Sequence, residues 1–240
     1  DLHRRRHSFP TRRSSDLPML RKILRKWSAE LGCLPSDYIT YDLETCGIDR
    51  YEDLIVELGH CVVIDQTSEE YHSHVIDWSQ EPGIDQDWLK YKLRSCAEHM
   101  AKNGRTSHMN YERMRREGSP PGVVLQEYRD LFDSARDNGI MIVGHNAVQF
   151  DNPFFEQAIN EWLGEDWKFP DFVFDTAAVV KATLTQMPPH EEETLQQYFF
   201  RVLDRPAPGV YYNLDTFCVE RFKLKEQYPG LNISDAHTAG

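Results

Sequence analysis

Residues 38–47 read YITYDLETCG, and the fold turns on how that run is taken. Tyr, Ile, Thr and Tyr favour a pleated strand. The run ends on Asp42-Leu43-Glu44, two carboxylates two positions apart, followed by Thr45, Cys46 and Gly47. On a strand, residues i and i+2 point to one face, so both carboxylates can address one point. They repel unless a cation lies between them. Hard oxygen ligands favour Mg²⁺ or Mn²⁺ there. Taken alone, such a pair is more often a solvated strand end entering a turn. The rest of the chain has to decide.

Downstream, DLIVELGHCVVID (53–65) predicts a second strand and EEYHSHVIDW (69–78) a third, an antiparallel meander. Over 86–102 the period changes. Leu89, Leu93, Cys96 and Met100 form one helical stripe, with Lys90, Lys92, Arg94 and Lys102 off it. That basic run reads as a solvated helix face in preference to a nucleic-acid contact. Residues 103–122 are rich in turn formers and are expected to be irregular. A helix near 123–137 stops at Asn138-Gly139. IMIVGHN (140–146) predicts a short apolar strand, buried on both faces if parallel. A helix near 153–163 follows, then a strand at FVFD (172–175) and a helix at TAAVVKATL (176–184). Residues 187–212 read as an excursion, and NLDTFCVERFKL (213–224) as a helix capped by Asn213. Ahead of the first strand, residues 19–31 have helical amphipathic spacing. The fold class is α/β, a mixed sheet flanked by helices.

Asp151 closes GHNAVQFD (144–151), just past the apolar strand. Central strands of one sheet would bring its carboxylate near Asp42. It reads equally well as an acidic residue in a first helical turn beside Pro153, but that leaves Gly144, His145 and Asn146 unexplained. His237 stands in SDAHTAG (234–240), among small residues that permit close backbone approach. Three other acidic residues read as local. Asp175 is a helix cap, with support of the site from behind its metal ligands as the lesser alternative, Asp235 a turn or cap residue, and Asp215 part of a first helical turn.

Together, YDLETCG, GHNAVQFD and DAHTAG resemble the three motifs of the DnaQ-like DEDD exonucleases, in the branch with a catalytic histidine. Each motif is weak alone; three in order, on the right elements, are specific. The resemblance covers about residues 38–240, apart from insertions near 85–120 and 187–212. It implies a ribonuclease-H-like fold, a five-stranded mixed sheet with three antiparallel strands followed by parallel ones. It implies 3′-to-5′ exonuclease activity on single-stranded 3′ ends with two Mg²⁺ or Mn²⁺ ions, releasing nucleoside 5′-monophosphates. In that scheme Asp42 bridges both ions, Glu44 ligates one and Asp151 the other. His237 accepts a proton from the attacking water. Thr45, Cys46 and Gly47 meet the terminal sugar, and His145, Asn146 and Phe150 belong to the substrate side of the second motif. Cys46 stands where the family usually has threonine, and the His145–Asp151 spacing is closer to exonuclease I-like members than to polymerase proofreading subunits. The family's last carboxylate, five residues after its histidine, would fall at 242, past Gly240. Little activity is therefore expected of the 240 residues alone.

Composition bounds the alternatives. The formal net charge of -12 argues against attachment to nucleic acid by broad positive charge. Five scattered cysteines with no CxxC pair read as reduced thiols in a cytoplasmic protein. No apolar run approaches the length of a membrane span. Residues 1–17 carry five Arg and two Asp, and HSFPTRRSSDL within them reads as a translated sequencing adapter, an expected non-native scar. Residues 18–36 then form an N-terminal helix and linker, and 37–240 the exonuclease-like domain. DNA is the preferred strand, and a DNA polymerase is a candidate protein partner. An RNA-trimming enzyme of the ribonuclease T or oligoribonuclease type stays open, as does a non-catalytic nucleic-acid-binding or polymerase-partner module on the same fold.

Overall fold

A computed structural model of the chain describes residues 16–31, 37–65, 67–102, 107–171 and 173–214. Within them β1 (Tyr38–Thr45) alternates as its sequence predicts, with Ile39, Tyr41 and Leu43 buried and Asp42 exposed. β2 (Ile55–Ile64) pairs antiparallel with β1, and β3 (Thr67–Val75) antiparallel with β2. On the other side of β1, β4 (Met141–Gly144) runs parallel, and β5 (Val173–Asp175) runs parallel to β4. The order β3-β2-β1-β4-β5 is the mixed sheet expected of a ribonuclease-H-like fold. The β1–β4 pairing covers only Tyr38–Thr40. The half of β1 that carries Asp42 and Glu44 therefore runs on beyond β4.

The helices are α1 (Asp16–Leu31), α2 (Gln86–Lys102), α3 (Tyr111–Glu117), α4 (Pro121–Asp137), α5 (Asp151–Trp162), α6 (Thr176–Thr185) and α7 (Leu195–Asp204). Two of them depart from expectation. Residues 103–122 were expected to be irregular, yet α3 forms there. Asn110 caps it by accepting a hydrogen bond from the Arg113 N–H, and Gly118 closes it. The expected excursion at 187–212 contains α7, started by a capping box in which Thr194 and Gln197 satisfy each other's backbone. α1 begins at Asp16, inside the stretch expected to be a scar. Residues 1–15 and most of the helix expected at 213–224 lie outside the described residues.

The chain divides into two compact units. One holds the sheet and α2–α5. Its core is aromatic: Tyr41 from β1, Tyr128 and Phe132 from α4, Phe155 from α5, and Phe169. Phe132 meets Tyr41 edge-on at 5.1 Å and Phe155 at 5.2 Å between ring centroids. Each such side chain contributes about 1.5–3 kcal/mol by leaving water. The other unit holds α1, α7 and the chain from Ala177. There the Glu30 carboxylate accepts the Leu195 N–H at 2.9 Å, and the Lys26 ammonium donates to the His190 carbonyl at 2.9 Å. In the same unit the buried Lys181 ammonium donates to the Leu203 carbonyl at 2.7 Å and lies 4.9 Å from the centre of the Tyr212 ring.

Candidate active site

Beyond Thr40, β1 no longer has β4 beside it, and its free backbone donors need partners. Asp151 supplies one. It is the first residue of α5, it is 3% exposed, and its Oδ1 accepts the Leu43 N–H at 3.0 Å. Leu43 sits between Asp42 and Glu44, so Asp151 both starts α5 and lies against the backbone of that pair. Burial, and then the charge of Asp42, push the Asp151 carboxyl well above the usual range. The backbone bond from Leu43 opposes that rise without cancelling it.

The turn that delivers Asp151 is held from β5. Asp175 is fully buried, and its two carboxylate oxygens accept the N–H groups of Asn146, at 3.1 Å, and Val148, at 3.0 Å. Asp175, expected as a helix cap, thus clamps the turn before Asp151. Asn146 takes a left-handed backbone with φ 65°, which asparagine tolerates. The Thr176 hydroxyl donates to the Gly144 carbonyl at 2.9 Å, so it accepts from Nδ1–H of His145 at 3.0 Å. Gly144 allows the close approach of strand and turn, because a Cβ there would collide with Ala147 and lie 3.3 Å from the Tyr41 ring. The Tyr41 hydroxyl donates a short hydrogen bond to the Asn152 side chain. Burial, and then the Asp151 charge, raise its pKa far above that of free tyrosine. Phe150, half-buried, packs against Phe154 at 5.0 Å.

After Glu44 the chain turns tightly. The Thr45 hydroxyl donates to the Gly47 carbonyl at 2.5 Å. Cys46 is 3% exposed; its sulfur accepts the Leu54 N–H at 3.2 Å, and burial pushes its thiol up to about 11. Gly47 lies so close to the Asp53 carboxyl that a Cβ would overlap it. Asp53, itself buried, pairs with Lys92 of α2 at 2.6 Å.

The sheet face that carries Asp42 and Glu44 holds residues that sequence reasoning passed over. Glu44 lies directly opposite Glu57 of β2, and Asp42 opposite Gly59. Glu57 is 3% exposed, and like charges in such register repel. Arg113 of α3 resolves this with a bidentate pair to Glu57, at 2.9 and 3.1 Å, and Ser73 of β3 adds a short hydrogen bond to the same carboxylate. The signal was present: a lone Glu in an apolar strand, and a capped helix carrying an arginine.

Asp42, Glu44 and Asp151 therefore lie on adjoining backbone, with the charge of Asp42 raising the Asp151 carboxyl. Among the described residues, no group of three or more His, Cys, Asp or Glu side chains is arranged to hold a metal ion. His237 lies outside the described residues. Among them, no helix is long and apolar enough to cross a membrane.

No protein-family model matches the chain. It is similar to a DNA polymerase III PolC-type of Thermotoga petrophila, with 25% identity over 163 residues, 68% of this chain and 10% of that protein. Among solved structures it is similar to the zinc-bound complex of E. coli exonuclease I with single-stranded DNA, with a TM-score of 0.47 and 13% identity over 81% of this chain and 42% of that one. It is also similar to product-bound exonuclease I, with a TM-score of 0.48 and 14% identity over 81% of this chain and 44% of that one. The chain thus spans about a tenth of the polymerase and under half of each exonuclease I chain. In sheet order, motif order and sequence likeness to a PolC-type polymerase, it resembles the DnaQ-like exonucleases.

Proposed function

We propose that the protein is a 3′-to-5′ exonuclease that removes nucleoside 5′-monophosphates from single-stranded 3′ ends, preferentially DNA. The observation that carries this reading is the buried Asp151 carboxylate, bonded to the backbone between Asp42 and Glu44 and raised in pKa by burial and by Asp42. A structural helix-start carboxylate has no need of a second carboxylate beside it. Two hard oxygen donors, one of them buried, suit a divalent cation.

Asp42, Glu44 and Asp151 would hold two Mg²⁺ or Mn²⁺ ions. When bound, such ions supply an activated water and stabilise the leaving oxygen. The chain's own part is positional. Asp42 and Glu44 present from one strand face, and Asp175 fixes the turn that presents Asp151. His237 would accept the proton of the attacking water, and the turn from Thr45 to Gly47 would seat the terminal sugar, with His145, Asn146 and Phe150 on the approach. A DNA polymerase remains the protein partner to test.

The test uses matched 5′-labelled DNA and RNA single strands, with Mg²⁺ or Mn²⁺. The 240-residue chain is compared with one continued through the coding sequence downstream of Gly240. Stepwise shortening from the 3′ end is expected, faster on DNA, and lost in Asp42→Ala without loss of the fold. Faster trimming of RNA would replace the DNA preference. Binding of strands without cleavage by either chain would overturn the enzymatic reading in favour of a binding module.

A further inference from the structure

One row across the sheet joins the carboxylate pair to α3. Glu44 on β1 faces Glu57 on β2, and Glu57 faces Val75 on β3. The Val75 carbonyl accepts the Ser119 N–H at 2.9 Å, and the Ser119 carbonyl accepts the Asp77 N–H at 2.8 Å. Ser119 stands just past the end of α3, so these bonds tie that helix to the row. Gly118 permits the junction, because a Cβ there would lie 2.4 Å from the Met114 carbonyl oxygen and 2.7 Å from the Asp77 nitrogen. Met114, fully buried, anchors the same helix. Arg113, its neighbour, is thereby delivered to Glu57.

Glu57 is buried, yet it has a full set of partners. Arg113 donates to both of its oxygens, at 2.9 and 3.1 Å, and Ser73 to one of them. Arg113 is held in turn by Glu117, which accepts from its Nε–H at 2.8 Å. The pair is a neutral unit fixed one strand spacing, about 5 Å, from the Glu44 backbone. Apolar residues would fill the same space without the cost of desolvating two charges. Removing either member alone would change the charge beside Glu44 by one unit, in opposite senses. The three carboxylates also act on one place. Burial, and then Glu57, push the Tyr71 phenol up to about 12, against a Ser73 hydrogen bond, with Asp42 and Glu44 adding to the rise.

We propose that Arg113 and Glu57 are positioning residues that set the charge beside Glu44, and with it the affinity of the Asp42–Glu44 pair for a divalent cation. Arg113 keeps Glu57 from serving as an additional ligand. Glu57 keeps the arginine's charge from repelling the ion. This rests on the exonuclease reading above and adds to it a control of cation affinity.

The experiment measures Mn²⁺ binding by calorimetry in the chain that carries its downstream residues. Arg113→Met, Glu57→Gln and the double variant are compared with the parent, and Asp42→Ala marks which binding belongs to the site. One unit charge near a divalent ion is worth about tenfold or more in affinity at the effective dielectric of a protein surface. Arg113→Met is expected to tighten Mn²⁺ binding by about that factor, and Glu57→Gln to weaken it by about as much. The double variant should return close to the parent, because its two changes cancel in charge. The Mn²⁺ concentration giving half-maximal strand degradation should move in the same order. A packing role alone would lower the thermal midpoint of the single variants and leave Mn²⁺ affinity unchanged; that result overturns the assignment, as do shifts of the same sign in both. Should Arg113→Met fail to fold, Glu57→Gln decides alone, since it keeps an acceptor for Ser73: weaker binding supports the assignment and parent-like binding overturns it. If the parent shows no Mn²⁺ binding that Asp42→Ala removes, the exonuclease reading falls first and takes the assignment with it.

Discussion

Asp175 and Asp151 are both buried aspartates at the ends of short elements, yet their surroundings give them different work. Asp175 accepts two backbone N–H groups from one turn, so its carboxylate is an internal scaffold. Asp151 accepts one from Leu43 and feels the charge of Asp42. Replacing Asp175 with Ala leaves the Asn146 and Val148 donors buried without their acceptor. It should cost about 2–4 kcal/mol in urea unfolding, at about 1–3 kcal/mol per orphaned group with partial relaxation. Asp151→Asn removes charge from a crowded pair while keeping an acceptor for Leu43. It should unfold at the same or higher urea concentration than the parent while activity is lost. A large loss of stability in Asp151→Asn would assign that carboxylate to scaffolding. The sequence pointed to Asp151 because a glycine, histidine and asparagine precede it. Asp175 had no comparable signature, since its partners lie about 30 positions away and meet it only across the β4–β5 pairing.

At the scale of elements, the β4–α5 connection decides where the second carboxylate lands. Gly144 lets Ala147 and the Tyr41 ring close on the strand end, whereas Gly122 in the first turn of α4 has open space around it. Gly144→Ala is therefore expected to destabilise the protein by about 1–3 kcal/mol through overpacking. Gly122→Ala should be neutral or stabilising by up to about 1 kcal/mol, through lower unfolded-chain entropy. Chemical denaturation of the two variants side by side checks the contrast; equal effects would refute the packing account. The five strands and α2, α4, α5 and α6 follow the periodicities of their sequence, because each buries one face against a layered core. α3 and α7 escaped because both lie in stretches broken by Pro, Gly and acidic residues. Their caps at Asn110 and Thr194 were the available signal.

Across the molecule, the sheet separates two kinds of surface. The side opposite Asp42 carries a histidine group: His60 stacks on His72 at 4.9 Å, His74 stands edge-on at 6.4 Å, and Tyr128 of α4 closes over them. Nδ1–H of His60 donates to the Tyr128 hydroxyl at 3.0 Å, because that hydroxyl donates onward to the Leu58 carbonyl. His74 also lies 3.5 Å from the Glu127 carboxylate. Burial first, and then His72 and His74, lower the His60 pKa to about 4. Above about pH 6.5 His60 is neutral folded or unfolded. As pH falls from there towards 4, the unfolded chain binds the proton first, so stability is lost across that window. The thermal midpoint should drop by a few degrees between pH 7 and 5, and His60→Gln should flatten that part of the curve. An unchanged slope in the variant would show that other groups carry the acid sensitivity.

The sequence by itself determined the strands, most of the helices and the candidate carboxylates, because hydrophobic period and residue chemistry are local properties. It also carried the resemblance to DnaQ-like exonucleases, since motif order can be read along a chain. Only the tertiary structure decided that Asp151 bonds to the backbone inside the Asp42–Glu44 pair, that Asp175 clamps its turn, and that Arg113 neutralises a glutamate facing Glu44. These are pairings between residues far apart in the chain, set by strand register and by which strand ends first, and no local pattern encodes them.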